Sequence, residues 1–70
     1  MIKVGDTVQF KDISEYGSAL YTVSTIEKDN DNELIVIIDD INDEDNHRNG
    51  NGYFSWRFNL VRKEEYLDEV

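Results

Sequence analysis

Seventy residues with no cysteine and a single histidine make one small domain, without a disulfide framework or a Cys/His zinc site. A chain of this size buries only about 60% of its unfolded surface, so its core rests on apolar residues alone, reinforced by a partner or by a second copy in a homo-oligomer. The formal net charge of −9 disfavours nucleic acid and anionic membrane as direct ligands, since both are polyanions.

Residues 2–11 alternate. Ile2, Val4, Val8 and Phe10 fall on one face, and Lys3, Gly5, Thr7, Gln9 and Lys11 on the other, which predicts a strand. Gly5 and Asp6 predict a turn or bulge, with the strand proper starting near Thr7. Residues 12–19 hold polar turn formers and Gly17 and read as a loop. Residues 20–28 are β-rich. Tyr21 and Val23 share a face but Ile26 falls on the opposite one, which predicts a bend near Ser24. Asp29, Asn30, Asp31 and Asn32 form a turn. Residues 33–39 make the third strand; its apolar run from Leu34 to Ile38 predicts a central strand covered on both sides. That run is also the longest in the chain, far short of a membrane span.

Residues 40–52 form a long polar loop ending in two Asn-Gly pairs, the strongest short hairpin signal present. Residues 53–62 contain four of the eight aromatics, with Ser55, Trp56 and Arg57 as one tight helical turn between two short strands. Residues 63–70 have helical propensity but need a docking surface. The expectation is an all-β domain over 1–62, a small five-stranded barrel with a short 3-10 turn, and a C-terminal tail at 63–70. The chain reads as folded from Ile2 onward, leaving no room for a signal peptide, and the absence of cysteine fits a reducing cytoplasm.

Charge is concentrated in one stretch. Segment 27–45 holds nine acids (Glu27, Asp29, Asp31, Glu33, Asp39, Asp40, Asp43, Glu44, Asp45) and one base, Lys28, so it carries 1 − 9 = −8 of the net −9. Like charges oppose compaction, so such an asymmetry points toward a basic partner. Asp29, Asp31 and Glu33 at every second position would project from one side of an extended chain, about 6.6 Å apart. Asp39, Asp40, Asp43, Glu44 and Asp45 would cluster on a neighbouring loop. A basic groove that normally holds phosphates could accept this array. The alternative is a solvated run that serves solubility.

Other chemistry finds little footing. A calcium loop opening at Asp40 would need glycine where Asp45 stands and glutamate where Asn51 stands. His47 sits in a polar loop beside Arg48 and reads as solvated. Ser14, Ser18, Ser24 and Ser55 have no nucleophile signature around them. The expectation is a non-enzyme without cofactor or metal.

Three segments carry a resemblance. Gly52-Tyr53-Phe54-Ser55-Trp56-Arg57-Phe58 resembles the segment that closes Src-homology-3 domains, with Ser55 in place of the family's proline. Val4-Gly5-Asp6-Thr7-Val8-Gln9-Phe10 resembles the opening strand of small bacterial and phage barrels of that type, and Tyr21 to Ile26 their second strand. The resemblance spans roughly residues 3 to 62 and implies a Src-homology-3-like fold. In peptide-binding members, aromatics of the first long loop and of the closing turn form a groove, with loop acids selecting basic ligands. By position, Asp12, Glu15 and Tyr16 match that loop, Tyr53 matches the closing tyrosine, and Trp56 either joins them or enters the core. Set against this, Phe10, Phe54, Trp56 and Phe58 read as mostly core, which a core this small needs.

The leading expectation is a non-catalytic acidic protein of bacteriophage type, acting in the host cytoplasm. As a DNA-mimic inhibitor it would occlude the nucleic-acid-binding surface of a basic host protein, such as a nuclease. The alternative is a peptide-binding or assembly module that uses the aromatic groove. An RNA-binding role is disfavoured by charge.

Overall fold

The computed structural model describes residues 1–62; the expected C-terminal turn at 63–70 lies outside the described residues. Strand β1 (Thr7–Phe10) forms where alternation is cleanest, with Val8 and Phe10 fully buried and Thr7 and Gln9 on the opposite face. The alternation does not extend back to the N-terminus. Gly5 takes φ 94°, and a turn closes as the Asp6 amide donates to the Lys3 carbonyl at 3.1 Å. The Lys3 amide in turn donates to the Asp6 carboxylate at 2.8 Å. Val4 is therefore 52% exposed instead of sharing the inner face, and Asp6 is fully buried.

Residues 12–19 are more than a loop. Asp12 caps a one-turn helix, α1 (Ile13–Tyr16), by accepting from the Glu15 amide at 3.2 Å. Gly17 ends it at φ 83°, a conformation that favours glycine. Strand β2 (Tyr21–Lys28) follows, then a tight turn, β3 (Leu34–Asp40), an eleven-residue loop at 41–51, and β4 (Gly52–Phe54). A 3-10 turn (Ser55–Arg57) leads into β5 (Phe58–Arg62).

All pairings are antiparallel, in the order β4-β3-β2-β1-β5. β4 and β5 are the two edges, so the pairing is that of one open five-stranded sheet. The register of β2 against β3 shifts between Val23 and Thr25. The intervening Ser24 bonds the Ile37 carbonyl at 3.1 Å. This bulge lies where the pattern slip predicted a bend. It lets Tyr21, Val23 and Ile26 all reach one core despite their mismatched spacing.

Val8, Phe10, Tyr21, Val23, Val36, Ile38 and Phe58 form that core, with Ile2, Tyr16, Ala19, Ile26, Tyr53 and Leu60 packed around it. β3 is hydrogen-bonded on both edges but covered on one face. Val36 and Ile38 are buried, while Leu34, Ile35 and Ile37 are only half-buried. On the outer face, Ile35 and Ile37 have Phe54 and Gly52 of β4 as their neighbours across the ladder.

Candidate functional site: an acidic loop docked on an aromatic cluster

The two acidic groups do not share a surface. Asp29, Asp31 and Glu33 flank the β2–β3 turn, whereas Asp39 to Asp45 lie at the far end of β3. At about 3.3 Å per residue the two groups stand roughly 20 Å apart. Nor do the first three line one side of an extended chain. Asp29 Oδ1 accepts from the amides of Asp31 at 2.8 Å and Glu33 at 2.9 Å, and Asn32 takes φ 66°. These residues form a turn built around the Asp29 carboxylate.

The other group lies in and beside the 41–51 loop, which its own side chains hold closed. The Asp40 amide donates to Asn49 Oδ1 at 2.6 Å, and Asp40 Oδ1 accepts from the Asn42 amide at 2.8 Å. Asn46 Nδ2 donates to Asp40 Oδ2 at 2.8 Å and to the Tyr21 hydroxyl at 3.2 Å. Asp43 Oδ1 accepts from the Asp45 amide at 3.0 Å, and Asn49 Nδ2 donates to the Asp43 carbonyl at 3.0 Å. The bond from Asn46, and then that from the Asn42 amide, hold the Asp40 carboxyl below the usual carboxylate range. With its ends brought together on the β3–β4 pair, the segment is a compact self-packed loop.

Besides Asn46, a second side chain fastens the loop to the body. Arg48 is half-buried, and its Nη1 donates to the Tyr53 hydroxyl at 3.2 Å. Its guanidinium lies 4.7 Å from the Tyr16 ring centroid and 5.7 Å from that of Phe10. The Tyr53 bond, against some desolvation, raises the Arg48 pKa above its already high value, so the cation persists at every ordinary pH. Beneath it the rings are tightly arranged. Phe10 stacks on Tyr16 at 4.3 Å and 14°, and meets Tyr53 edge-on at 5.0 Å. Offset and edge contacts of this kind add to simple burial.

The expected groove residues are thus partly assembled. Tyr16 and Tyr53 meet edge to face, with ring centroids 6.3 Å apart, but Arg48 lies against both. Trp56 belongs neither to the core nor to the Phe10, Tyr16 and Tyr53 cluster: it is 55% exposed and stacks on the half-buried Phe54 at 5.8 Å. Of the four aromatics that read as mostly core, Phe10 and Phe58 are buried and Phe54 and Trp56 are not. Arg57 bridges Tyr16 and Trp56. Its Nη1 donates to the Tyr16 hydroxyl at 3.0 Å, and its guanidinium lies 4.9 Å from the Trp56 centroid. Hydrogen bonding to Glu15, and then burial, raise the Tyr16 pKa, against the lowering pull of the two arginines. Asp12 is committed to capping α1 and also lines a shallow cleft of about 140 Å³ with Lys11, Tyr16, Trp56 and Arg57.

Residue types alone did not single out Arg48, Arg57, Asn46 or Tyr21. One signal was available: Arg48 is the sole base between Lys28 and Arg57. A lone cation within an acidic loop is a candidate for an inward role. Among the described residues, no group of three His, Cys, Asp or Glu side chains is placed to hold a metal ion. No described helix is long and apolar enough to cross a membrane. No family model, curated protein or solved structure matches the chain.

Proposed function

We propose that the chain is a non-catalytic binding protein that presents the carboxylates at 39–45 to a basic surface of a partner, occluding a site where that partner holds nucleic acid. The observation that carries this reading is the docking of the acidic loop. A run of acids that served only solubility needs no fixed shape. This one is closed by its own amides and carboxylates and clamped to Tyr16 and Tyr53 through Arg48. Asp39, Asp43, Glu44 and Asp45 are exposed on it, and the one base of the loop is turned onto tyrosines. Ordering the array before binding reduces the entropy lost on association. Attraction to a cationic surface then supplies speed and affinity through counterion release. In this reading the Tyr16–Tyr53 pair belongs to the scaffold of the acidic surface.

As the scaffold we take a Src-homology-3-like arrangement, for which the order of five short antiparallel strands with a 3-10 turn before the last speaks, although β4 and β5 do not pair to close it. A second reading, a peptide or assembly groove, is favoured by one observation: Trp56 is 55% exposed beside the cleft formed with Asp12 and Tyr16.

The two readings separate in a pull-down from bacterial lysate at low and high salt. The native chain is run beside a variant carrying Asp39→Asn, Glu44→Gln and Asp45→Asn. Retention of a nucleic-acid-binding protein by the native chain alone, only at low salt, with loss of that protein's DNA binding, supports occlusion. Equal retention by both baits at either salt overturns it and moves the site to Trp56, where Trp56→Ala would abolish capture.

A further inference from the structure

The two Asn-Gly pairs at 49–52 share a sequence but not an environment, and Asn-Gly is the dipeptide most open to spontaneous deamidation, because glycine leaves the following amide unshielded. At Asn49 every reacting group is engaged. Its Oδ1 accepts from the Asp40 amide at 2.6 Å, its Nδ2 donates to the Asp43 carbonyl at 3.0 Å, and the Gly50 amide donates to the Ile38 carbonyl at 2.8 Å. The half-buried Asn49 is part of what closes the loop.

Asn51 differs at each point. It is exposed, and its side chain makes one surface bond, from Nδ2 to the His47 carbonyl at 3.0 Å. The following Gly52 is exposed as well and opens the edge strand β4, opposite Ile37. The Ile37 carbonyl accepts from Ser24 on the β2 side, while the neighbouring Ile38 supplies the bonds to Gly50 and Asn51. By the alternation of an antiparallel ladder, the Gly52 amide therefore faces the open edge of the sheet.

We propose that Asn51 is a site of spontaneous deamidation and isoaspartate formation in the folded protein, and that Asn49 is protected by the fold. The Gly52 amide loses its proton to solvent base, and its nitrogen attacks Asn51 Cγ. The new N–Cγ bond forms as the Cγ–Nδ2 bond breaks, and the leaving nitrogen takes a proton from water and departs as ammonia. Water then opens the cyclic imide at either carbonyl, giving aspartate or isoaspartate. No oxidant or reductant is consumed. Either product adds one negative charge at the end of the acidic loop, and isoaspartate lengthens the backbone two residues before Tyr53, the residue that receives Arg48.

The test is ageing of the purified chain at neutral pH and physiological temperature, followed by peptide mapping that distinguishes the two sites and detects isoaspartate. The same chain in concentrated urea, and the variant Asn51→Gln, run beside it. In urea both sites should react at similar rates. In the folded chain Asn51 should react at least about tenfold faster than Asn49, since Asn49 must wait for local opening of the loop. Asn51→Gln should remove nearly all early ammonia release. Faster reaction at Asn49 in the folded chain would overturn the assignment, as would folded chain inert at Asn51 over times that suffice in urea.

Discussion

The guanidinium of Arg48 is held by one hydroxyl, at 3.2 Å from Tyr53, and by the faces or edges of two rings. Contacts of this kind contribute about 1 kcal/mol when half-desolvated. Arg48→Ala should therefore lower stability by about that amount, with the loss concentrated in the loop. The measurement is amide hydrogen exchange, which should accelerate at 41–51 and stay slow in β1 and β2. Tyr53→Phe should reproduce part of the effect, because the ring contacts remain and only the acceptor is lost. Asp40 offers a second handle. Its folded pKa is lowered by the Asn46 amide and then by the Asn42 N–H. A lowered carboxyl pKa stabilises the fold fully above the unfolded value of about 4 and loses that contribution as pH falls through the folded value. Acidification from about pH 4 through the folded value should thus weaken the bond from Asn46 to Asp40 and lower the loop's protection against exchange, measured relative to the intrinsic rate at each pH. Asp40→Asn should show the loosened loop already at neutral pH. Protection in the native loop that does not change across that range would remove Asp40 from the clamp.

At the scale of elements, local pattern carried much of the outcome. Alternation placed β1, a one-residue slip placed the Ser24 bulge, and Asn/Asp chemistry placed the β2–β3 turn; each is written in neighbours along the chain. Where the reading departed from the structure, the deciding contact was non-local or very short. The apolar run in β3 implied two covered faces, yet only one layer lies against it, and Ile35 and Ile37 remain half-buried. Asp12 and Glu15 do have the spacing of a helix cap. A four-residue helix gives no periodicity to detect, however, so the segment read as a loop. The docking of Arg48 depends on Tyr16 and Tyr53 meeting across the sheet, which no window of sequence contains. Gly52 shows the same limit. A Cβ there would lie 2.6 Å from Ile35 Cγ2, the branch nearest the backbone. Gly52→Ala should cost about 1–3 kcal/mol through displacement of Ile35. Thermal unfolding would measure it, and the double variant Gly52→Ala with Ile35→Val, which keeps the branch, should not recover the loss, whereas Ile35→Ala, which removes it, should recover part.

Over the whole molecule the acids work against folding through their mutual repulsion. Segment 27–45 carries −8 of the net −9, split between the two ends of β3. Repulsion among exposed charges is screened within a Debye length of about 10 Å at 0.1 M salt, so each end repels mainly within itself. Asp39, Glu44 and Asp45 are exposed, whereas Asp40 and Asp43 accept the loop's own hydrogen bonds. Neutralising the first three as Asn, Gln and Asn therefore removes repulsion without removing the groups that close the loop, and takes the net charge to −9 + 3 = −6. The variant should be more stable than the native chain at low salt by about 0.5–1 kcal/mol, a few degrees in melting temperature for a domain of this size. The two should converge as salt rises and screens the native repulsion. Thermal melts of both chains across a salt series give the measurement. If the acids served solubility alone, that gain would come with unchanged binding to any partner. If they are the binding surface, the same three substitutions that stabilise the fold should abolish capture of the basic protein. Stability and recognition would then move in opposite directions, because both are set by the same unscreened carboxylates. A variant that is less stable at low salt would instead show that these side chains support the loop.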